Sequence, residues 1–214
     1  SITILDDTLF EAAETFTLEL VTPPNGVDRH ATLYQHVVTI DEVDVAPTVK
    51  FNLASDNTGE GAGTKNINVV LSHGSYQAVS VQYRIKAGGT AIEGTDFLAL
   101  AGTVNFPAFD TSEDIVLSIS EDLIYEGPET LIVELYNPTN TSLLGGVQEH
   151  VHTINDNEPV PEFKFNVLSS NPSENVGTHN LAVDLTYAAS VPTTVNYVVV
   201  AGGTATEGAG NDYV

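Results

Sequence analysis

The chain has 214 residues, 42% of them hydrophobic, with 29 acidic residues against 6 basic ones, a formal charge of −23, and no cysteine. That length suits roughly one to two ordinary domains, and that charge excludes a nucleic-acid partner, because phosphate contacts need Lys and Arg. The lack of cysteine excludes a disulfide framework, a thiolate nucleophile and a zinc ribbon; these residues contain no apolar run long enough to span a membrane and no secretory leader, so any export signal is expected outside them.

In chain order, residues 5–20 read LDDTLFEAAETFTLEL. Four acids, Asp6, Asp7, Glu11 and Glu14, precede Phe16, Leu18 and Leu20, whose alternation predicts a half-buried strand. Acids follow the next strand end, Thr39-Ile40, at Glu42 and Asp44. Alternating or apolar runs then fall at 49–53, 67–71, 79–85, 103–106, 115–119, 130–135 and 149–154, which predicts about seven strands. Turn residues separate them: 59–63, Gly88-Gly89, Pro107, Gly127-Pro128, Asn137-Pro138 and Gly145-Gly146. No stretch has capped helical periodicity. The expected fold is all-β, an antiparallel immunoglobulin-like β-sandwich of two sheets.

The opening stretch recurs. Residues 120–135 read SEDLIYEGPETLIVEL, so that Glu121, Asp122, Glu126 and Glu129 repeat the first four acids at an offset of 115 (14 to 129, 7 to 122). Four carboxylates so close together repel unless they are solvated, protonated or bound to a cation. At an offset of 114, PTVKFNL at 47–53 recurs as PEFKFNV at 161–167, and Glu60 recurs as Glu174. AGGTAIEGTDF at 87–97 recurs as AGGTATEGAGNDY at 201–213, with two extra residues before Asp212. This is a tandem array. Its predicted domains are the last strands of one repeat at 1–45, a complete repeat at 46–158 and the first half of a third at 159–214. Both ends then fall inside repeats, so a longer chain or a neighbouring molecule is expected to supply the missing strands. The junctions carry proline at Pro47, Pro159 and Pro161, which restricts the chain there and predicts an extended rod.

Taken together, the Gly-Thr-Ala…Asp-Phe segment, Gly-Thr-Val-x-Phe, the acidic pair, Glu-x-x-Glu-Thr and the closing Thr-Ile-x-Asp resemble the Calx-beta family. Those calcium-binding sandwich domains occur in sodium/calcium exchangers, in an integrin subunit and in tandem in large bacterial surface proteins. The resemblance implies Ca2+ held by loops at one end of the sandwich and by the acidic junction. It places ligands at Glu60, Asp96, Glu121, Asp122, Glu126, Asp156 and Glu158 of the complete repeat, with Glu129 a further candidate. In the first partial repeat it implies Asp6, Asp7, Glu11, Glu42 and Asp44, and in the third Glu174 and Asp212. Asn155, Asn157 and Val43 depart from an all-acid junction, which implies fewer or weaker ions.

The other signals point to structure. His150 and His152 share one strand face but lack an evident third zinc ligand, and are expected to be exposed. Glycines at 60–65 lack P-loop spacing, no nucleophile elbow occurs, and a carboxylate pair repeated in every unit argues against a glycosidase. No enzyme is expected. The implied function is a calcium-stiffened segment of an extracellular or cell-surface adhesin, stalk or filament, suited to a bacterial surface. Its expected partners are neighbouring repeats, other copies in a filament and a surface ligand. The alternatives are a calcium-sensing regulatory domain pair of a membrane transporter or receptor, and cadherin-like calcium between domains at 154–159.

Overall fold

The computed structural model describes residues 1–22, 24–208 and 212–213. The first repeat contributes an antiparallel pair, β1 (Glu14–Glu19) and β2 (Gln35–Ile40), in which Phe16 faces Val38. The middle repeat then runs through β3 (Thr48–Phe51), β4 (Ser55–Gly59), a single 3-10 turn at Glu60–Ala62, β5 (Thr64–Leu71) and β6 (Val79–Lys86). It continues with β7 (Ala101–Phe106), β8 (Ser112–Ser118), β9 (Ile124–Tyr125), β10 (Glu129–Thr139), β11 (Ser142–Leu143) and β12 (Glu149–Asn155). The third repeat adds β13 (Phe163–Phe165), β14 (Val183–Leu185) and β15 (Ala188–Ala189).

The middle repeat is a two-sheet sandwich, with strand order β4-β12-β10-β6-β7 in one sheet and β11-β3-β5-β8 in the other. Its core follows from the period of two. Val49 and Phe51 of β3, Ile67, Val69 and Leu71 of β5, and Ile115 and Leu117 of β8 point inward from one sheet. Val79, Val81, Val104, Phe106, Leu131, Val133, Leu135 and Ile154 meet them from the other, and every one of these side chains is buried. At ~25 cal/mol per Å² of apolar surface removed from water, this core is what holds the two sheets together. Phe97, Leu100 and Ile119 close the end of the core nearest the acidic loops.

Three details differ from the sequence expectation. The run predicted at 49–53 stops at Phe51, and the chain then crosses to the other sheet as β4, whose sequence SDNTG has no apolar alternation. β4 pairs in parallel with β12, and β11 in parallel with β3, so two edges of an otherwise antiparallel sandwich are parallel. Finally, β10 runs through the predicted turn at Asn137-Pro138 with a register shift between Tyr136 and Thr139 and a positive φ at Asn137. Pro138 cannot donate to the ladder, and the irregularity takes up the lost hydrogen bond.

A backbone hydrogen bond between successive repeats recurs at both junctions. Tyr76 N–H donates to Phe10 O at 3.0 Å, and Ser190 N–H donates to Tyr125 O at 3.1 Å. Each receiving segment is aimed by its preceding acid: Leu9 N–H donates to Asp7 Oδ1 at 2.8 Å and Ile124 N–H to Asp122 Oδ1 at 2.7 Å. β9 thereby forms a short parallel pair with β15 of the third repeat. Within the third repeat many apolar side chains, Val195 and 197–200 among them, are exposed. The insertion before Asp212 falls at 209–211, outside the described residues.

Candidate functional site

At one end of the middle sandwich the acids converge from five places in the sequence. The 3-10 turn after β4 supplies Glu60; the loop between β6 and β7 supplies Asp96; the segment around β9 supplies Glu121, Asp122 and Glu126; β10 opens with Glu129, and β12 runs out into Asp156 and Glu158. One carboxylate oxygen from each of Glu60, Asp156 and Glu158 lies within 4.8 Å of the other two, and Asp96, Glu126 and Glu129 form a second such group. Glu60, Asp96, Glu126, Glu129 and Asp156 line a common cavity of about 10 Å³, room for about one water-sized ion.

Backbone donors fix this geometry. Asp122 N–H donates to Glu60 Oε1 at 3.2 Å, and the N–H groups of Glu126 and Gly127 donate to Asp156 Oδ2 at 3.3 and 3.2 Å. Asp96 accepts from Ile92 N–H at 2.5 Å through Oδ2, which ties it into its own turn. Asn157, the departure from an all-acid junction, donates to Glu121 Oε1 at 3.0 Å and so fastens the junction to the acidic segment. Gly61 lies where these two meet: a Cβ there would lie 3.0 Å from Glu121 Oε2 and 3.2 Å from Asn157 Nδ2, so both side chains would have to shift to admit one.

The electrostatics are those of a cation site without a protein cation. Among the described residues no Lys, Arg or His pairs with any of these eight acids. Burial, followed by the charges of Asp122, Glu158 and Glu121, pushes the Glu60 carboxyl up to about 7. Burial, a hydrogen bond with Asp96 and the charges of Asp96, Glu126 and Glu60 push Glu129 to about 7 as well. Burial also raises Glu126, helped by Asp96, Asp122, Asp156 and Glu158. Asp156 Oδ1 and Glu158 Oε2 are buried with no hydrogen-bond partner. Orphaned carboxylate oxygens cost on the order of 1–3 kcal/mol each, and an oxygen-ligated hard cation would satisfy them. The donor set therefore fits Ca2+.

The partial repeats show the same parts less tightly assembled. Asp6, Asp7, Glu11, Glu42 and Asp44 line one open basin of about 260 Å³. There Glu11 N–H donates to Glu42 Oε2, the counterpart of the Glu126–Asp156 bond, and Asp44 N–H donates to Glu42 Oε1 at 2.5 Å. Glu11 is raised by burial and then by Asp7, Glu14, Glu42 and Asp44. Glu174 sits on a 3-10 turn (Glu174–Val176), as Glu60 does, and Asp212 accepts from Thr206 N–H at 2.7 Å. Among the described residues neither belongs to a group of three ligating side chains, and nor do the five acids of the basin.

The sequence reading gave Glu129 a lesser place, yet the structure sets it inside the Asp96–Glu126 group. Its position opening a strand beside Glu126 was the available signal. The expected exposure of His150 and His152 is wrong: they are 1% and 0% exposed, because alternation along β12 turns both inward with Ile154. Asp56 of β4 receives them. It was invisible beforehand because the strand that carries it has no apolar pattern.

The sequence profile of the Calx-beta domain matches residues 1–44, 42–158 and 155–214. The chain belongs to the Calx-beta family. The "Sodium/calcium exchanger 1" of Rattus norvegicus is 26% identical over 215 residues, covering 88% of this chain and 22% of the exchanger. The "Extracellular matrix organizing protein FRAS1" of Homo sapiens is 27% identical over 121 residues, 55% of this chain and 3% of that protein. This Calx-beta chain thus spans under a quarter of either relative. Among solved structures, CBD12 from CALX1.2 aligns with a TM-score of 0.50 at 25% identity, over 64% of this chain and 56% of that one. The calcium binding domain CBD12 of CALX1.1 gives 0.49 at 25% identity, over 63% and 56%.

Proposed function

We propose that this Calx-beta chain is a calcium-binding structural segment of an extracellular or cell-surface protein, in which ions at the sandwich ends stiffen the junctions of an adhesin, stalk or filament. The observation that carries this reading is the convergence of Glu60, Asp96, Glu126, Glu129, Asp156 and Glu158 with buried, unpartnered oxygens and no basic residue among them. Ca2+ takes six to eight oxygens, and these side chains supply them without any enzymatic role. Glu121 and Asp122 lie in the segment that bonds the next repeat through Tyr125 O, so order imposed on that segment by an ion passes directly to its neighbour. The expected partners are adjacent repeats, then other copies in a filament and a surface ligand.

Calorimetric titration of the metal-free chain with CaCl2, with melting temperature and small-angle scattering dimensions measured in parallel, tests the proposal. Calcium should raise the melting temperature and narrow the distribution of lengths. Unchanged values in both would sink it. A second reading, a calcium-sensing domain pair of a membrane transporter, draws on the similarity to the exchanger over 88% of the chain. The described residues contain no helix long and apolar enough to cross a membrane; spanning segments elsewhere in the complete gene would favour that reading over the stalk.

A further inference from the structure

Away from the acidic end, a different set of ligating atoms meets inside the sandwich. Asp56 on β4 lies in register beside His152 on β12. Its Oδ1 is 2.9 Å from His150 Nε2 and 2.5 Å from His152 Nδ1, while its Oδ2 pairs with Lys65 Nζ of the facing sheet at 2.9 Å. The Phe51 ring closes the other side of His150 at a centroid distance of 5.5 Å. One ligating atom from each of Asp56, His150 and His152 lies within 4.8 Å of the other two. From the sequence alone the two histidines lack a third ligating side chain, and the fold brings Asp56 to that place.

The hydrogen-bond pattern around His150 calls for a cation. Its Nδ1 lies 2.8 Å from Leu53 O. A carbonyl oxygen only accepts, so Nδ1 carries the hydrogen, and in a neutral ring Nε2 then presents a lone pair. That lone pair faces a carboxylate oxygen, which also only accepts. Two acceptors hold 2.9 Å only with a proton between them; a metal ion bonded to both at about 2.0–2.2 Å would replace that proton and set the nitrogen and oxygen roughly 3.3 Å apart, a shift of a few tenths of an ångström. An Nδ1–H anchored on a backbone carbonyl, with Nε2 free to ligate, is how metal-bound histidines are usually oriented. His152 Nδ1 donates to Asp56 Oδ1 at 2.5 Å, and a metal ion bound at Nδ1 would move that ring hydrogen to Nε2, which is buried without a protein partner.

We infer that Asp56, His150 and His152 form a second metal site, for a divalent transition metal such as Zn2+, separate from the carboxylate end. Imidazole nitrogens select such ions over Ca2+ and Mg2+. Three protein ligands leave a fourth position open, and Asp56, whose side chain is 16% exposed, gives access from the sandwich edge. Lys65 orients the carboxylate through Oδ2 and, being positive, lowers the affinity. The site belongs to the middle repeat alone: Val38 stands in place of His152 in the first repeat, and Ser170 in place of Asp56 in the third.

The whole chain, stripped of metal on a chelating resin, is titrated with Co2+ alone and with Zn2+ alone, with and without saturating calcium. One Co2+ per chain with visible d–d absorption, displaced by Zn2+ and indifferent to calcium, is expected. Asp56→Asn and His150→Gln should each weaken binding at least ~10-fold, whereas the His30→Ala, His36→Ala double variant should not. Near-UV circular dichroism checks that the variants fold; if they do not, the histidine ¹⁵N shifts of the unaltered chain with and without Zn2+ decide the matter. A folded chain that binds no stoichiometric Co2+ and shows His150 protonated on both nitrogens overturns the inference, as does binding that survives both ligand variants.

Discussion

Raising the pH of the calcium-free chain should destabilise it. Glu60 and Glu129 titrate near 7 in the folded chain against an ordinary 4.5. Between those values the folded state keeps protons that the unfolded chain has already released. The stability they contribute is therefore complete below pH 4.5 and lost as the pH rises through 7. At about 1.4 kcal/mol per pH unit, the upper limit is about 3.4 kcal/mol for each group. The two share neighbours and the site is open at its mouth, so we expect on the order of 3 kcal/mol for the pair together. For a domain of this size that corresponds to roughly 10 °C in melting temperature between pH 5 and pH 8. The assay is thermal melting by circular dichroism on resin-stripped protein, since soluble chelators release calcium in acid. Calcium requires deprotonated ligands, so it should reverse the slope and stabilise most at pH 8. Glu60→Gln should flatten the metal-free slope, raise the metal-free melting temperature at pH 8, and weaken calcium binding. A metal-free melting temperature that is flat or climbs from pH 5 to pH 8, or a slope untouched by Glu60→Gln, would refute the reasoning.

Two further outcomes follow from the backbone. Gly89→Ala places a Cβ 2.3 Å from Thr130 O and 2.9 Å from Leu131 Cα, where no side chain can move aside. It should cost several kcal/mol, on the order of 3, read as a lower urea midpoint with an unchanged m-value. Tyr76→Pro removes the N–H that bonds Phe10 O while leaving the core intact, so the melting temperature of the middle repeat should hold while scattering shows a more flexible junction between the first two repeats; an unchanged scattering profile counts against the role given to that bond.

What the sequence displays is what repetition and alternation can display. Phe51, Val69, Leu117 and Val133 announce themselves as core by a period of two, and all are fully buried. The acidic stretches announce themselves by recurring, and in the middle repeat the fold draws their carboxylates together. β4 was hidden for a physical reason: its half-buried Asp56 is polar because it faces two histidines and a lysine rather than apolar side chains. A strand that buries charge in a network has no hydrophobic signature. The same blindness made His150 and His152 look like surface residues, since the partner that makes their burial tolerable lies 94 residues away in the chain from His150. The backbone donors at Glu126 and Gly127 that hold Asp156 were likewise illegible, because main-chain hydrogen bonds leave no mark on residue identity.

The bond from Tyr76 to Phe10 and its copy from Ser190 to Tyr125 carry a geometrical consequence. The same two segments meet at each junction, so this contact sets how each acidic end is placed toward the next repeat, and a change in it would be multiplied by the number of junctions in the array.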